Sequence, residues 1–380
     1  MSAPTRTAVV IGAGLVGLST ADSLARRGVS VTVLDAREGP ARGTSFSNSG
    51  MIHPSQARSW MPGRPRPRAQ VDAEGAVREL ARQSRDLLLA RMEALGLDDM
   101  RARPRGCYQI FPDLDAARAA QTQLSADGVT ANVVIDPGRT VSRPALYFPD
   151  DRSGDAHAYG VALADDLAAR GVTFVYGATD VRLRWDSEPG RVAVSLAGHR
   201  FRADDVVVCA GVQTGETLAP LGLSARITPV RGWAVDFDVP EGGPDRWGLP
   251  PIPVMDAASR SALTLFGERF RLSGTWGEQS AKPLLRRWAE IIPDALAAAG
   301  RARAVWSGLR PVSDAGRPFI GAAPIPADRR DVAGEPGTPS RLWVNAGHGH
   351  LGWTLCAGAG ELCAAMIAGE QDDARFSYGG

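Results

Sequence analysis

The first thirty-five residues constrain this chain more than any other segment. Val9, Val10 and Ile11 form an apolar run, and Gly12, Gly14 and Gly17 follow in G-x-G-x-x-G spacing. Ala21, Leu24 and Ala25 continue at helical spacing, Gly28 closes the helix, and residues 31–34 run into Asp35. This order predicts a strand, a tight turn, a helix and a second strand ending in a carboxylate. Gly12 permits the turn, Gly14 leaves room for a pyrophosphate against the backbone, and Gly17 lets the helix pack on the strand. The helix N-terminus offers amides and partial positive charge to phosphates. Asp35 is placed to accept hydrogen bonds from a ribose diol. The segment therefore reads as a dinucleotide site, and by itself admits either FAD or a nicotinamide cofactor.

The 380 residues suffice for about two domains. A composition of 44% hydrophobic and 22% charged residues is that of an ordinary globular chain. The net charge of +1 supplies no global field for nucleic acid, and none is expected as a partner. Cys107, Cys209, Cys356 and Cys363 show neither C-x-x-C nor zinc spacing, so no metal site is expected. Free thiols in apolar runs fit a reducing compartment. Residues 8–18 behind Arg6 imitate a short signal peptide, but the glycine fingerprint accounts for the same residues. With no other uninterrupted apolar run of ~18 residues, the expected location is the cytoplasm.

Periodicity predicts helices over 77–95, 114–126 and 158–170 and short strands over 107–111, 173–176 and 181–184. A hairpin is expected over 191–196 and 200–204. Residues 206–209 are continuously apolar, the pattern of a strand buried on both faces, which places them in the N-terminal parallel sheet. Segments 227–238, 262–266 and 270–275 read as an antiparallel sheet. A helix over 284–292 should stop at Pro293, a strand is expected over 342–345, and the helix 354–367, apolar nearly all round, should be buried. Residues 58–68 and 328–340 read as surface loops. The expected fold is α/β: a discontinuous Rossmann-type domain (1–56, 150–222 and 308–372) with a second α+β substrate domain on an antiparallel sheet (75–149 and 223–307).

The C-terminal third narrows the chemistry. Ser307-Gly308-Leu309-Arg310-Pro311 is followed by Asp314, Gly316, Pro318 and Gly321. Strand 342–345 then enters Gly347-His348-Gly349-His350-Leu351-Gly352-Trp353-Thr354. With the N-terminal fingerprint and Thr44, Ser45, Asn48 and Gly50, these blocks resemble the FAD-dependent D-amino acid dehydrogenases, within the wider D-amino acid oxidase and glycine oxidase superfamily. The resemblance covers nearly the whole chain.

It implies FAD, held non-covalently, rather than a nicotinamide. It implies that Thr44, Ser45, Asn48, Gly50 and Met51 run beside the flavin ring and that the Val181 backbone meets the adenine. Gly12, Gly14, Leu15, Val16, Gly17, Asp35, Ala36, Arg37, Ala210 and Gly211 complete the nucleotide end. Gly349, His350, Leu351, Gly352, Trp353 and Thr354 pass the pyrimidine end. Glycines at 347, 349 and 352 let amides approach a flat ring, and the following helix aims its positive end there. His348 adds a hydrogen bond and is a catalytic candidate beside Arg310.

The matching arginine of that family binds the substrate carboxylate. Arg310 can fork onto a carboxylate bidentately; the competing reading is a salt bridge to Asp314. His53, Trp353 and Asp256 are further substrate candidates, Asp256 being read equally well as a turn residue. Met255, Arg260, Phe266 and Trp276 also stand where they can line the site. The expected reaction passes hydride from the α-carbon to flavin N5 and needs orientation and a dry site rather than a dedicated acid or base. The imino acid then hydrolyses to a 2-oxo acid and ammonia. Oxidation of an N-substituted or cyclic amino acid (sarcosine, glyphosate-like compounds, D-hydroxyproline), or service as a flavin subunit of a larger dehydrogenase, are the alternatives. The electron acceptor, quinone or oxygen, is open. The segment after Trp60 is shorter than in the family, which argues against membrane-quinone coupling. Arg58, Arg64, Arg66 and Arg68 accordingly read as a solvated loop rather than a membrane contact.

Overall fold

A computed structural model describes residues 6–57, 68–101, 103–135, 143–187, 190–326 and 341–378. The strand Thr7–Ile11 lies at the centre of a six-stranded sheet, parallel to Ser30–Leu34 on one side and Asp205–Val208 on the other. Leu342–Ala346 extends the sheet in parallel, Phe319–Ala322 closes one edge antiparallel, and Thr173–Val175 closes the other. All four residues of Asp205–Val208 are buried, as a strand covered on both faces requires. Helices Leu15–Arg26, Ala156–Ala169 and Gly352–Ala368 cover one face. The strands Val181–Trp185, Val192–Leu196 and His199–Phe201 form a small sheet over the other.

Gly352–Ala368 is apolar nearly all round, Glu361 pairing with Arg27 at 2.8 Å, because it is enclosed between Leu15–Arg26 and the long helix Arg68–Ala94. Two glycines permit this. A Cβ at Gly360 would stand 2.6 Å from the Ser19 carbonyl carbon, and one at Gly358 would stand 2.8 Å from Ser84 Cβ. The Gly358 amide instead donates to Ser84 Oγ at 3.0 Å. The helix expected over 77–95 in the substrate domain therefore belongs to the nucleotide-domain core, where Val77, Leu80, Leu88 and Met92 are buried.

The second sheet has eight strands, in the order Ala304–Ser313, Ile227–Asp238, Arg269–Gly274, Ser261–Phe266, Val254–Asp256, Cys107–Ile110, Ala145–Phe148 and Asn132–Val134. One pair, Val254–Asp256 with Cys107–Ile110, is parallel; the others are antiparallel. Its outer face packs on Lys282–Ile291 and Pro293–Ala299 around buried Trp288. Its other face meets the nucleotide domain. Two expectations change here. A boundary at residue 308 would split the strand Ala304–Ser313, so the boundary moves beyond Ser313. Pro293 starts a second helix, its missing N–H costing nothing at a first helical position, instead of only ending the previous one. Arg58, Arg64, Arg66, the Arg68 side chain and the loop 328–340 lie outside the described residues.

Candidate active site

A cavity of about 850 Å³ runs between the two sheets. At its nucleotide end the fingerprint glycines meet three different demands. Gly12 has φ 112°, and a Cβ there would stand 2.5 Å from the Cys209 carbonyl oxygen. A Cβ at Gly17 would stand 1.8 Å from the Gly12 carbonyl oxygen, so Gly17 is the helix–strand packing contact and does not line the cavity. Gly14 faces open space, its nearest neighbour being Ser45 Oγ at 3.5 Å. The Leu15 amide donates to that same Oγ at 3.2 Å, tying the loop to the helix N-terminus. Asp35 sits at the strand end, accepting from the Ala13 amide at 2.5 Å and the Arg37 amide at 2.7 Å. Val16, Ala36, Arg37, Val181, Ala210 and Gly211 line this end with it.

The loop after the fingerprint crosses to the second sheet. Thr44, Ser45, Asn48 and Met51 line the cavity. Asn48 Oδ1 accepts from the Gly50 amide at 2.8 Å, and Thr44 Oγ1 donates to the Leu309 carbonyl at 2.8 Å. The sheet holds the loop from beneath: Arg271 Nη1 donates to the Asn48 carbonyl at 3.0 Å and Thr264 Oγ1 to the Ser49 carbonyl at 2.7 Å. Arg271 is itself fixed bidentately on Asp236, at 2.6 and 2.8 Å. Gly50 does not line the cavity; it presses on the Phe266 ring, which lies under the guanidinium groups of Arg103, Arg269 and Arg271. Phe266 is therefore a wedge under the loop and not a wall of the site.

The strand alternation of the second sheet decides which side chains enter the far end. Residues paired across a ladder share a face. Arg310, Gly232, Ser273, Ala262 and Met255 fall on the cavity face, through the pairs Val230 with Arg310, Ala234 with Ser273, Ser273 with Ala262, and Ala262 with Met255. Asp256 is one residue on and points the other way. It is 2% exposed, bound bidentately by Arg287 at 2.7 and 3.0 Å and by Ser259 Oγ at 2.6 Å. Its expected role as a partner of the substrate amine is thus corrected to a structural ion pair behind the sheet. Trp276 likewise stays outside the cavity wall, with its ring 5.8 Å from Arg310 Cζ.

Arg310 opens to the cavity and is otherwise shut in by the sheet. Its Nη1 donates to the Thr275 carbonyl at 3.0 Å, and longer contacts reach the carbonyls of Arg231 and Gly274 at 3.4 Å. Desolvation lowers its pKa to about 10, so it remains cationic at neutral pH. Among the described residues no carboxylate pairs with it. Asp314 pairs with Arg226 at 3.1 Å, which removes the competing salt bridge. A Cβ at Gly232 would stand 2.2 Å from Arg310 Nη1, so the guanidinium occupies the space a side chain would take.

Three histidines face this end: His53, His348 and His350. Burial lowers their pKa values to about 4, 3 and 3, so all three imidazoles are neutral. The His53 and His350 rings meet edge to face with centroids 6.0 Å apart. Gly349, Gly352 and Trp353 line the cavity beside them. Two residues expected there do not: Leu351 is in the apolar core, and Thr354 is buried behind the wall, its Oγ1 accepting from the His53 amide at 3.1 Å. Sequence reasoning missed Gly232, Ser273 and Trp306, all in the lining. A period-2 count along the strand from Arg310 finds Trp306, whereas Gly232 and Ser273 lie on neighbouring strands and need the ladder register.

A family model described as FAD dependent oxidoreductase matches residues 7–366. The chain belongs to this family. Over 95% of its length it is 33% identical to a D-amino acid dehydrogenase of Cereibacter sphaeroides, covering 91% of that protein. It is 31% identical to a D-amino acid dehydrogenase of Methylobacterium nodulans, over 95% of both chains. Among solved structures, iminodiacetate oxidase from Chelativorans sp. BNC1 aligns with a TM-score of 0.76 at 21% identity, over 97% of this chain and 98% of that one. Glycine oxidase from Geobacillus kaustophilus aligns at 0.75 and 23%, over 98% of both. These likenesses give the fold. The cavity of this FAD-dependent oxidoreductase fits its cofactor. It leaves room at Gly14, carries a carboxylate at the strand end, and is walled elsewhere by residues with buried polar atoms that have no partner among the described residues: His53 Nδ1, His348 Nε2, Asn345 Oδ1 and Trp353 Nε1.

Proposed function

We propose that this chain oxidises a D-amino acid at its α-carbon to the imino acid, which water converts to the 2-oxo acid and ammonia. One observation carries the reading: Arg310 presents a guanidinium with no carboxylate partner, among the described residues, to the cavity from the sheet facing the nucleotide domain. A bidentate fork of this kind matches a carboxylate. The names of the relatives at 31% and 33% identity support an amino acid as its owner.

Gly12, Gly14, Leu15, Val16, Asp35, Arg37 and Val181 would hold the adenine and phosphate end of FAD. Ser45, Asn48, Met51, Gly349, His350, Gly352 and Trp353 would hold the ring end. Bound there, FAD supplies a two-electron acceptor. The protein's part is orientation and charge. Arg310 fixes the carboxylate and so sets where the α-carbon lies. The acidic residues of the lining, Asp35, Asp180 and Glu216, all come from the nucleotide domain. At the Arg310 end cations and neutral imidazoles disfavour an ammonium, so the amine binds with its lone pair free. His348 is a neutral hydrogen-bonding group at that end and no proton store. Four buried unpaired cysteines support a cytoplasmic setting.

The test is anaerobic reduction of the bound flavin by a panel of free D-, L- and N-alkyl amino acids. Bleaching by D-amino acids is the expected result; reduction by secondary amines alone would overturn the reading. Reoxidation of the reduced protein with oxygen or a quinone then identifies the acceptor.

A further inference from the structure

Two non-glycine residues with left-handed backbone lie side by side at the end of one hairpin, Arg260 with φ 52° and Thr275 with φ 64°. Ser261 pairs with Gly274, so these are the next residues along each strand. Such strain persists only where the surroundings enforce it, and it gathers at functional sites. Thr275 has an evident reason: its turned carbonyl accepts from Arg310 Nη1. Arg260 closes the turn 257–260 between the paired strands Val254–Asp256 and Ser261–Phe266, where a left-handed residue is usual, so the hairpin explains its backbone and leaves its side chain to be accounted for. It lines the cavity, and among the described residues its guanidinium has neither an ion pair nor a hydrogen bond.

A second group without a partner lies close by. Ser273 lines the cavity on the same sheet face as Arg310, is 4% exposed, and among the described residues its Oγ has no hydrogen-bond partner. A buried hydroxyl of this kind is destabilising unless a ligand completes it. Arg231 lines the cavity too, but its Nη1 donates to Ser307 Oγ at 3.0 Å from the opposite face of the ladder. Arg260 and Ser273 are thus a cation and a donor flanking Gly274, whose carbonyl touches Arg310.

We propose that Arg260 and Ser273 form a second anion subsite beside the Arg310 clamp, and that the preferred substrates are D-amino acids carrying a distal carboxylate. The proposal rests on the D-amino acid reading above. It follows from charge: a side chain entering this end meets an unpaired guanidinium and no acid. A cationic side chain is excluded for the same reason.

The experiment compares kcat/KM of the holoenzyme for D-glutamate, D-glutamine, D-norvaline and D-lysine. It also measures the melting-temperature shift given by glutarate, which is not oxidised, against butyrate. D-Glutamate should exceed D-glutamine at least tenfold, D-lysine should be the poorest, and glutarate should stabilise more than butyrate. Arg260→Gly accepts the left-handed φ without strain and should fold. It should lower the D-glutamate to D-norvaline ratio at least tenfold and abolish the glutarate advantage. Equal kcat/KM for D-glutamate and D-glutamine, or a ratio unchanged in Arg260→Gly, overturns the subsite and leaves the D-amino acid reading standing. Should every D-amino acid fail, that reading falls. A glutarate shift lost in Arg260→Gly would then still support the subsite.

Discussion

Arg310 and Thr275 are coupled through the backbone: the guanidinium Nη1 rests on the Thr275 carbonyl at 3.0 Å, and Thr275 holds a φ of 64° to present it. A β-branched residue in that region is a conformational outlier. The sheet thus spends local strain to aim one cation into a cavity, and Gly232 beneath leaves the space for it.

Arg310→Met should lower kcat/KM for any carboxylate substrate by about 10²–10³-fold, the usual loss for one partner of a desolvated charge pair. Gly232→Ala tests the same geometry without touching the cation. Its Cβ would stand 2.2 Å from Nη1 and push the guanidinium aside, for a loss of roughly 10²-fold. Steady-state kinetics with the flavin-to-protein absorbance ratio held in view reads both. A Gly232→Ala enzyme with wild-type kcat/KM refutes the aim assigned to Arg310.

The fingerprint glycines separate cofactor affinity from folding. At Gly14 a Cβ has its nearest neighbour 3.5 Å away, whereas at Gly17 it would stand 1.8 Å from the Gly12 carbonyl oxygen. Gly14→Ala should therefore keep the melting temperature of the FAD-free protein while weakening FAD binding at least tenfold. Gly17→Ala should lower both, because helix and strand must part. Thermal melts of FAD-free protein and fluorescence titration with FAD distinguish the two; equal melting losses would contradict the assignment.

Long elements with a clear period were readable from sequence. Ile227–Asp238 and Leu114–Ala126 have the expected bounds, the first by alternation and the second by apolar spacing behind the cap Asp113, whose side chain accepts from the Ala116 amide at 2.8 Å. Met51–Ile52, Asn132–Val134 and Val254–Asp256 are too short to show a period, and their neighbours set their register. Missing Val254–Asp256 misplaced Asp256, since one residue decides the face of a strand. The ligand-facing blocks were legible because turns and close approaches demand glycine. The clamp of Arg271 on Asn48 was not, because it joins residues 223 positions apart through a backbone carbonyl.

Asp256 offers a check on the corrected reading. Asp256→Asn takes from Arg287 its bidentate buried partner, leaving it only the exposed Glu290 at 2.9 Å, and should cost about 2 kcal/mol of stability. Because the carboxylate points away from the cavity, KM should move less than twofold. Urea denaturation and initial rates decide it. A large rise in KM with unchanged stability would return Asp256 to the substrate.

Asp151 ties the site's support to pH. It is fully buried and accepts from Ser55 Oγ at 2.6 Å and the Ser55 amide at 3.2 Å, two residues beyond His53. Desolvation raises its pKa from 3.8 to about 7. The folded protein therefore favours the protonated carboxyl. Below pH 3.8 both states are protonated and the group is neutral to stability. Between pH 4 and 7 the unfolded chain releases a proton that the folded chain keeps, so stability falls, and above pH 7 the loss is complete at about 4 kcal/mol. Asp151→Asn removes this slope. Relative to the wild type it should gain stability steadily from pH 4 to 7 and hold that gain above pH 7 in urea titrations. The buried histidines, whose lowered pKa values penalise acid conditions in both proteins, cancel in that difference. Parallel stability curves for the two proteins would show that Asp151 does not titrate across this window.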